Sequence, residues 1–116
     1  MIKVQIPDDY RQFREDLELI SEKNRYKILL TLFAGKKEFS FSQLKELLPS
    51  IQENKLNYHL NVLKENGLIK NRKKANYKRS ENRSFYSLTD KALDLLTQLG
   101  LERVQKEFHK LFEKMT

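Results

Sequence analysis

The stretch FSFSQLKELLPSIQENKLNYHLNVLKENG, residues 39–67, decides the fold. Ser40 and Gln43 have the spacing of a capping box, in which the cap hydroxyl takes the N–H of the third helical residue and that residue's side chain reaches back to the cap. Phe39 before the cap and Leu44 at the fourth helical position have the spacing of a hydrophobic staple. Leu44, Leu47 and Leu48 are expected to face inward, and Pro49 to end the helix. A short turn, Pro49-Ser50-Ile51, leads into a second helix. Ser50 with Glu53 is again a capping-box pair, although Gln52 or Asn54 could equally mark the start. Leu56, Leu60 and Leu63 recur at helical spacing as a core stripe, and Gly67 stops it. Two helices joined by so short a turn, the second closed by a glycine, read as a helix-turn-helix.

Downstream of Gly67 the period changes. Leu68-Ile69 and Phe85-Tyr86-Ser87-Leu88 read as two short strands around a polar, basic stretch, which is a β-hairpin with a long tip, a wing. Thr89 is placed to cap a further helix with Asp90 in its first turn, and Leu93, Leu96 and Leu99 are expected to point inward until Gly100. Upstream, Pro7-Asp8-Asp9 is a helix start. Ser21 is expected to cap the next helix, which carries Ile28, Leu29, Leu32 and Phe33 on one face and ends at Gly35. Two further stripes flank this core: Tyr10, Phe13, Leu17 and Ile20 near the start, and Leu101, Val104, Phe108, Leu111, Phe112 and Met115 near the end. Their spacing of three and four is that of helices packed almost parallel or antiparallel. Each seam is too short to stand alone. They are expected to pack on each other and on a second copy, forming a homodimer interface.

The expected class is therefore α+β, mainly α: a winged helix-turn-helix in one domain spanning 1–116. An N-terminal dimer helix covers 8–20, the winged-helix core 21–99 and a C-terminal dimer helix 101–115. The chain is long enough to bury a core without staples. With no cysteine, disulfides and thiolate metal sites are excluded, and a reducing cytoplasm, at the nucleoid, is the expected location. The first residues hold no apolar run of signal-peptide length, and no stretch approaches the roughly 18 apolar residues of a membrane span.

Charge is distributed unevenly. The formal net charge is +7, and residues 70–88 alone hold seven basic side chains against one acid, while the rest of the chain is close to balanced. Such a block is the footprint of a phosphate-binding element. Lys70, Arg72, Lys73, Lys74, Lys78, Arg79 and Arg83 are the expected backbone-contacting wing residues, with Asn76, Tyr77, Ser80 and Asn82 adding hydrogen-bonding groups. Guarding exposed strand edges would need only two or three such charges. On the second helix of the pair, removing the core stripe leaves Asn54, Lys55, Asn57, Tyr58 and Asn61 outward. Asparagines are poor helix formers but suit adenine edges in the major groove. An ordinary polar solvent face is the plain alternative, which the neighbouring basic hairpin disfavours. His59 and His109 are far apart, His59 toward the core side and His109 in a charged terminal helix. No phosphate loop, paired metal histidines or nucleophile constellation appears, so no enzyme, metal or cofactor is expected.

The run Asn57-Tyr58-His59-Leu60-Asn61-Val62-Leu63-Lys64-Glu65-Asn66-Gly67-Leu68-Ile69 resembles the recognition helix and first wing strand of ArsR-like winged-helix regulators. Those typically show Ser, any residue, His-Leu, a leucine three on, then Gly-Leu and Ile or Val. Asn24-Arg25-Tyr26-Lys27-Ile28-Leu29 resembles the arginine-bearing helix before the pair, and Phe85-Tyr86-Ser87-Leu88-Thr89 the returning wing strand. The resemblance spans roughly residues 21–96. It implies a dimeric transcription factor binding specific double-stranded DNA without a cofactor, with the terminal helices as dimer interface and Asn54, Lys55, Asn57, Tyr58 and Asn61 in the major groove. Asn57 replaces the usual serine, and the cysteine-containing metal-sensing motif is missing. Repression by occlusion is the expected outcome, and the residues point to no effector. Two other readings fit the same fold: a non-specific architectural protein, and a protein–protein adaptor.

Overall fold

In the computed structural model, residues 3–35, 38–75 and 82–115 are described. Among them the order is α1 (Asp8–Ser21), α2 (Lys23–Ala34), β1 (Phe39–Ser40), α3 (Phe41–Leu47), α4 (Glu53–Glu65), β2 (Ile69–Ala75), β3 (Asn82–Leu88), α5 (Asp90–Gln98) and α6 (Glu102–Met115). The strands form one antiparallel sheet in the order β1-β3-β2. Ile69 stands opposite Leu88 at one end of the hairpin and Ala75 opposite Asn82 at the other. Both arms are longer than the apolar residues alone indicate, because the outer half of each is polar and basic. Strand β1 has no signal in the sequence. It is only two residues long and pairs Phe39 with Tyr86 and Ser40 with Phe85, so it carries no alternation to read.

The helix-turn-helix is built largely from local signals. Ser40 caps α3 in a full box: its Oγ accepts from the Gln43 N–H at 3.2 Å, and the Gln43 side chain accepts from the Ser40 N–H at 2.8 Å. The start of α4 differs from one expected alternative. Gln52 is the N-cap, with no side-chain hydrogen bond, and Ser50 belongs to the preceding turn. At the C-terminus of α4 the N–H of Leu68 reaches the Leu63 carbonyl and that of Gly67 the Lys64 carbonyl, a Schellman closure. It requires Gly67 in the left-handed region, at φ 72°. Gly100 closes α5 the same way at φ 74°.

Ile28 and Leu29 of α2, Leu44 of α3, Leu56, Leu60 and Leu63 of α4, Leu68, Ile69 and Leu96 are all buried to within 2% of full coverage. Each such aliphatic side chain contributes about 1.5–3 kcal/mol by leaving water. Among the described residues no buried side-chain nitrogen or oxygen lacks a hydrogen-bond partner.

Three expectations need correction. Glu22, not Ser21, caps α2: its carboxylate accepts from the Arg25 N–H at 2.9 Å, while Ser21 is the last residue of α1. In α5 the buried face is Ala92, Leu95 and Leu96, whereas Leu93 and Leu99 are more than a third exposed. Leu93 lies about 100° around the helix from Ala92, outside the stripe that meets the core, and Leu99 is the C-cap, where the chain turns away. Gly35 does end α2, but not through left-handed backbone, since its φ is −94°. A Cβ there would collide with the buried Phe39 ring, so close approach is what requires glycine.

The terminal helices pack chiefly on α2 rather than on each other. Gln105 of α6 donates to the Phe33 carbonyl at 2.7 Å, and the His109 Nδ1 lies 3.3 Å from the Ala34 carbonyl. These α6 side chains serve the carbonyls that the last turn of α2 leaves unpaired. In α1 the buried Asp16 pairs with Lys91 at 3.3 Å and accepts from Gln12 at 3.2 Å. Lys91 also reaches the Asn66 carbonyl at 3.3 Å, and the Thr89 hydroxyl donates to the Gly67 carbonyl at 2.6 Å, so the start of α5 holds the end of α4.

Candidate nucleic-acid interface

Helix α4 presents two faces set by its 3.6-residue period. Leu56, Leu60 and Leu63 are buried, and Asn54, Lys55, Asn57, Tyr58 and Asn61 are all exposed. The five outward residues named from spacing therefore share one solvent-facing surface. Asn54, Asn57 and Asn61 are three and four apart, so they line one ridge about 10 Å long, the rise of seven residues. That length matches about three stacked base pairs at 3.4 Å each. Tyr58, 59% exposed, is the large side chain on this face. Lys45 of α3 reaches across to Glu53 at 3.2 Å, joining the two helices at the start of α4 and neutralising the acid in its first turn.

His59 points the other way and is only 7% exposed. Arg25 Nη1 lies 3.2 Å from its Nδ1, the Glu22 carboxylate 3.7 Å from the same atom, and the Asn24 amide 3.5 Å from Nε2. Arg25 is itself held, since its Nε donates to the Leu19 carbonyl at 2.7 Å. A guanidinium only donates, so the Arg25 contact is a hydrogen bond in the neutral tautomer that leaves Nδ1 unprotonated and carries its proton on Nε2. The electrostatics agree. Burial pushes His59 below its ordinary value of 6.5; Glu22 opposes this, and Arg25 and Lys55 add to it. For Glu22 burial acts to raise the carboxyl, but the backbone N–H groups of Arg25 and Asn24, with His59 and the Arg25 side chain, hold it below its ordinary 4.5. Helical spacing places His59 toward the core. It does not show that Glu22, Asn24 and Arg25 converge on the ring, because a contact across more than thirty positions leaves no local signal.

The wing carries the cations. Lys70 and Lys73 on β2 are exposed. Arg72 is exposed too, but it is paired with Glu38 at 2.7 Å, which fastens β2 to the segment before β1. Lys74 and Arg83 occupy opposite register positions near the outer end of the hairpin. Lys78 and Arg79, with Asn76, Tyr77 and Ser80, lie outside the described residues. Of the seam residues, Tyr10 is 65% and Leu111 53% exposed, and Phe13, Leu17, Leu101 and Val104 are half-buried. Ile20 departs from its expected place: it is 3% exposed and belongs to the protomer's own core, where α1 turns into α2. Phe108, Phe112 and Met115 have side chains outside the described set. No group of His, Asp or Glu among the described residues could hold a metal ion, and no described helix is long and apolar enough to cross a membrane.

A family model for a helix-turn-helix domain matches residues 20–72, from the end of α1 to the middle of β2. No curated protein matches the chain. Among solved structures, a protein with a GntR-superfamily winged-helix-turn-helix domain from Halomicrobium mukohataei superposes at a TM-score of 0.83. It is 19% identical, over 99% of this chain and 82% of its own. A protein assigned to the MarR family of transcriptional regulators, from Enterococcus faecalis V583, gives 0.70 at 18% identity over 99% and 100% of the two chains. An ArsR-like transcriptional regulator from Rhodococcus sp. RHA1 is 25% identical over 96% and 93%, with a TM-score of 0.57. The capped α3, two-faced α4 and basic hairpin of this chain agree with these likenesses, and its fold is that of a winged helix-turn-helix protein.

Proposed function

We propose that the protein is a transcriptional regulator that binds specific double-stranded DNA as a homodimer and represses by occluding its site. The observation that carries this reading is the exposure of Asn54, Lys55, Asn57, Tyr58 and Asn61 together on α4, beside a strongly basic hairpin. Asparagine amides both donate and accept, which the adenine edge in the major groove demands. The helix face carries one cation, so it specifies; the wing lysines and arginines neutralise phosphates and supply affinity. Arg72 would join them only by leaving Glu38.

Dimerisation is supported by the large apolar side chains that α1 and α6 leave in water, Tyr10 and Leu111 foremost. A twofold pair reads two half-sites, which a single small head cannot do. The likeness to transcriptional regulators of the MarR and ArsR types supports the regulator part of the proposal.

The test is fluorescence anisotropy with the DNA upstream of the protein's own gene and a random duplex of equal length, each across a salt series. Binding to the upstream duplex about a thousandfold tighter at physiological salt supports the regulator reading. Equal affinity for both with a steep salt slope replaces it with an architectural role, and no binding at low salt removes DNA as the partner.

A further inference from the structure

We propose that Arg25 and His59 are positioning residues that fix the roll of α4, so that Asn57 and Tyr58 meet base edges in register. The inference rests on the DNA-reading role of α4 and adds which side chains, none of them on the DNA-facing surface, set its specificity.

The leucine stripe alone does not define that roll. Leu56, Leu60 and Leu63 seat α4 in an apolar bed, and such contact is non-directional. Base reading tolerates little error. A roll of about 10° moves an atom some 6 Å from the helix axis by about 1 Å, enough to lose a hydrogen bond. A directional contact from the middle of the helix to a fixed frame narrows that error beyond what the contacts at its two ends supply, and among the described polar side chains of α4 only His59 is buried.

The frame is the junction between α1 and α2. Arg25 spans it with one planar group, its Nε on the Leu19 carbonyl at 2.7 Å and its Nη1 on His59 Nδ1 at 3.2 Å. The Glu22 carboxylate, which caps α2, sits 3.7 Å from Nδ1, and the Asn24 amide faces Nε2. The charged groups facing the ring are thus Glu22 and Arg25 from the junction and Lys55 from α4 itself. On its other side the Tyr58 ring meets His59 edge-on, with centroids 5.1 Å apart and planes at 68°. A line of directional contacts runs from the last turn of α1 through Arg25 and His59 to an exposed residue of the reading face.

A proton on Nδ1 breaks this line. It removes the acceptor that Arg25 uses and gives the ring an N–H that Glu22 can take instead. Positioning by Arg25 thus requires the neutral ring.

Arg25→Lys keeps the charge but gives up the fork that holds two acceptors at once. His59→Gln keeps a hydrogen-bonding side chain without the ring. Both variants and the wild-type protein would be titrated with the specific duplex and a random duplex, after a thermal melt confirms folding. The expected result is a specificity ratio lowered about tenfold or more in each variant, the loss expected when one base contact slips, with affinity for the random duplex and its salt slope unchanged. A ratio kept within about twofold overturns the inference. So does a parallel loss on both duplexes, which marks a purely structural role. Should a variant not fold, the wild-type protein carries the test. Its specificity ratio must fall as the His59 ring takes up a proton, a step followed by NMR as pH is lowered below 6.5, and a ratio that stays constant while the ring titrates overturns the inference. If the wild-type protein itself shows no preference between duplexes, the regulator reading fails, an outcome distinct from all of these.

Discussion

Asn57 and Asn61 are one turn apart on the exposed face of α4, and neither serves the core. Replacing either with alanine removes an amide able to pair bidentately with adenine. Each change is expected to lower discrimination by about 1–3 kcal/mol while leaving affinity for random DNA intact, as read by paired anisotropy titrations. Gly35→Ala acts on the fold instead. The added methyl meets the buried Phe39 ring, and overpacking of this kind costs about 1–3 kcal/mol, measurable by chemical denaturation. His59 makes stability depend on pH. Its folded value lies below 6.5, so between that value and 6.5 the unfolded chain holds the extra proton. The contribution of His59 to stability therefore falls as pH drops through this window and levels off below it. Urea midpoints at stepped pH should show the slope in the wild-type protein and a smaller one in His59→Gln. The outward set on α4 is legible from spacing because one helix displays both faces within a few residues. The partners of His59 are not, since they lie on another helix.

Elements with local signatures are the readable ones. The box at Ser40, the stop at Gly67 and the cap at Thr89 each involve residues within five positions, and each forms as its spacing indicates. Strand β1 and the outer hairpin lack such signals. Two residues cannot alternate, and basic side chains in β2 read as loop although the backbone continues to Ala75. The exposure of Leu93 has the same root: leucine spacing locates a helix, but the core decides which leucines it takes. The wing's role can be separated from that of α4. Changing Lys70 and Lys73 to glutamine is expected to weaken binding to all duplexes alike. The slope of log affinity against log salt should become shallower by about 0.9 for each phosphate no longer neutralised. An unchanged slope would remove these two residues from the interface.

At the scale of the whole molecule, α2 is the hub. It packs against α1, α4 and α6, and its Arg25 reaches His59 of α4. The seams on α1 and α6 are legible as amphipathic stripes, but spacing cannot separate residues that serve the protomer, such as Ile20, from those left outward, such as Leu111. Leu111→Asp places a charge where a second copy is proposed to sit. Sedimentation should show a dimer for the wild-type protein and a monomer for the variant, with melting little changed because Leu111 is already half in water. Base reading by α4 within a twofold assembly underlies all of these proposals. Selection from a randomised duplex library by the purified protein tests it on every sequence at once, with no operator chosen beforehand. The expected outcome is enrichment of an inverted repeat whose half-sites lie about 10–10.5 base pairs apart, or a multiple of that. A bound pool that stays random in sequence, however tightly held, would refute base reading by α4.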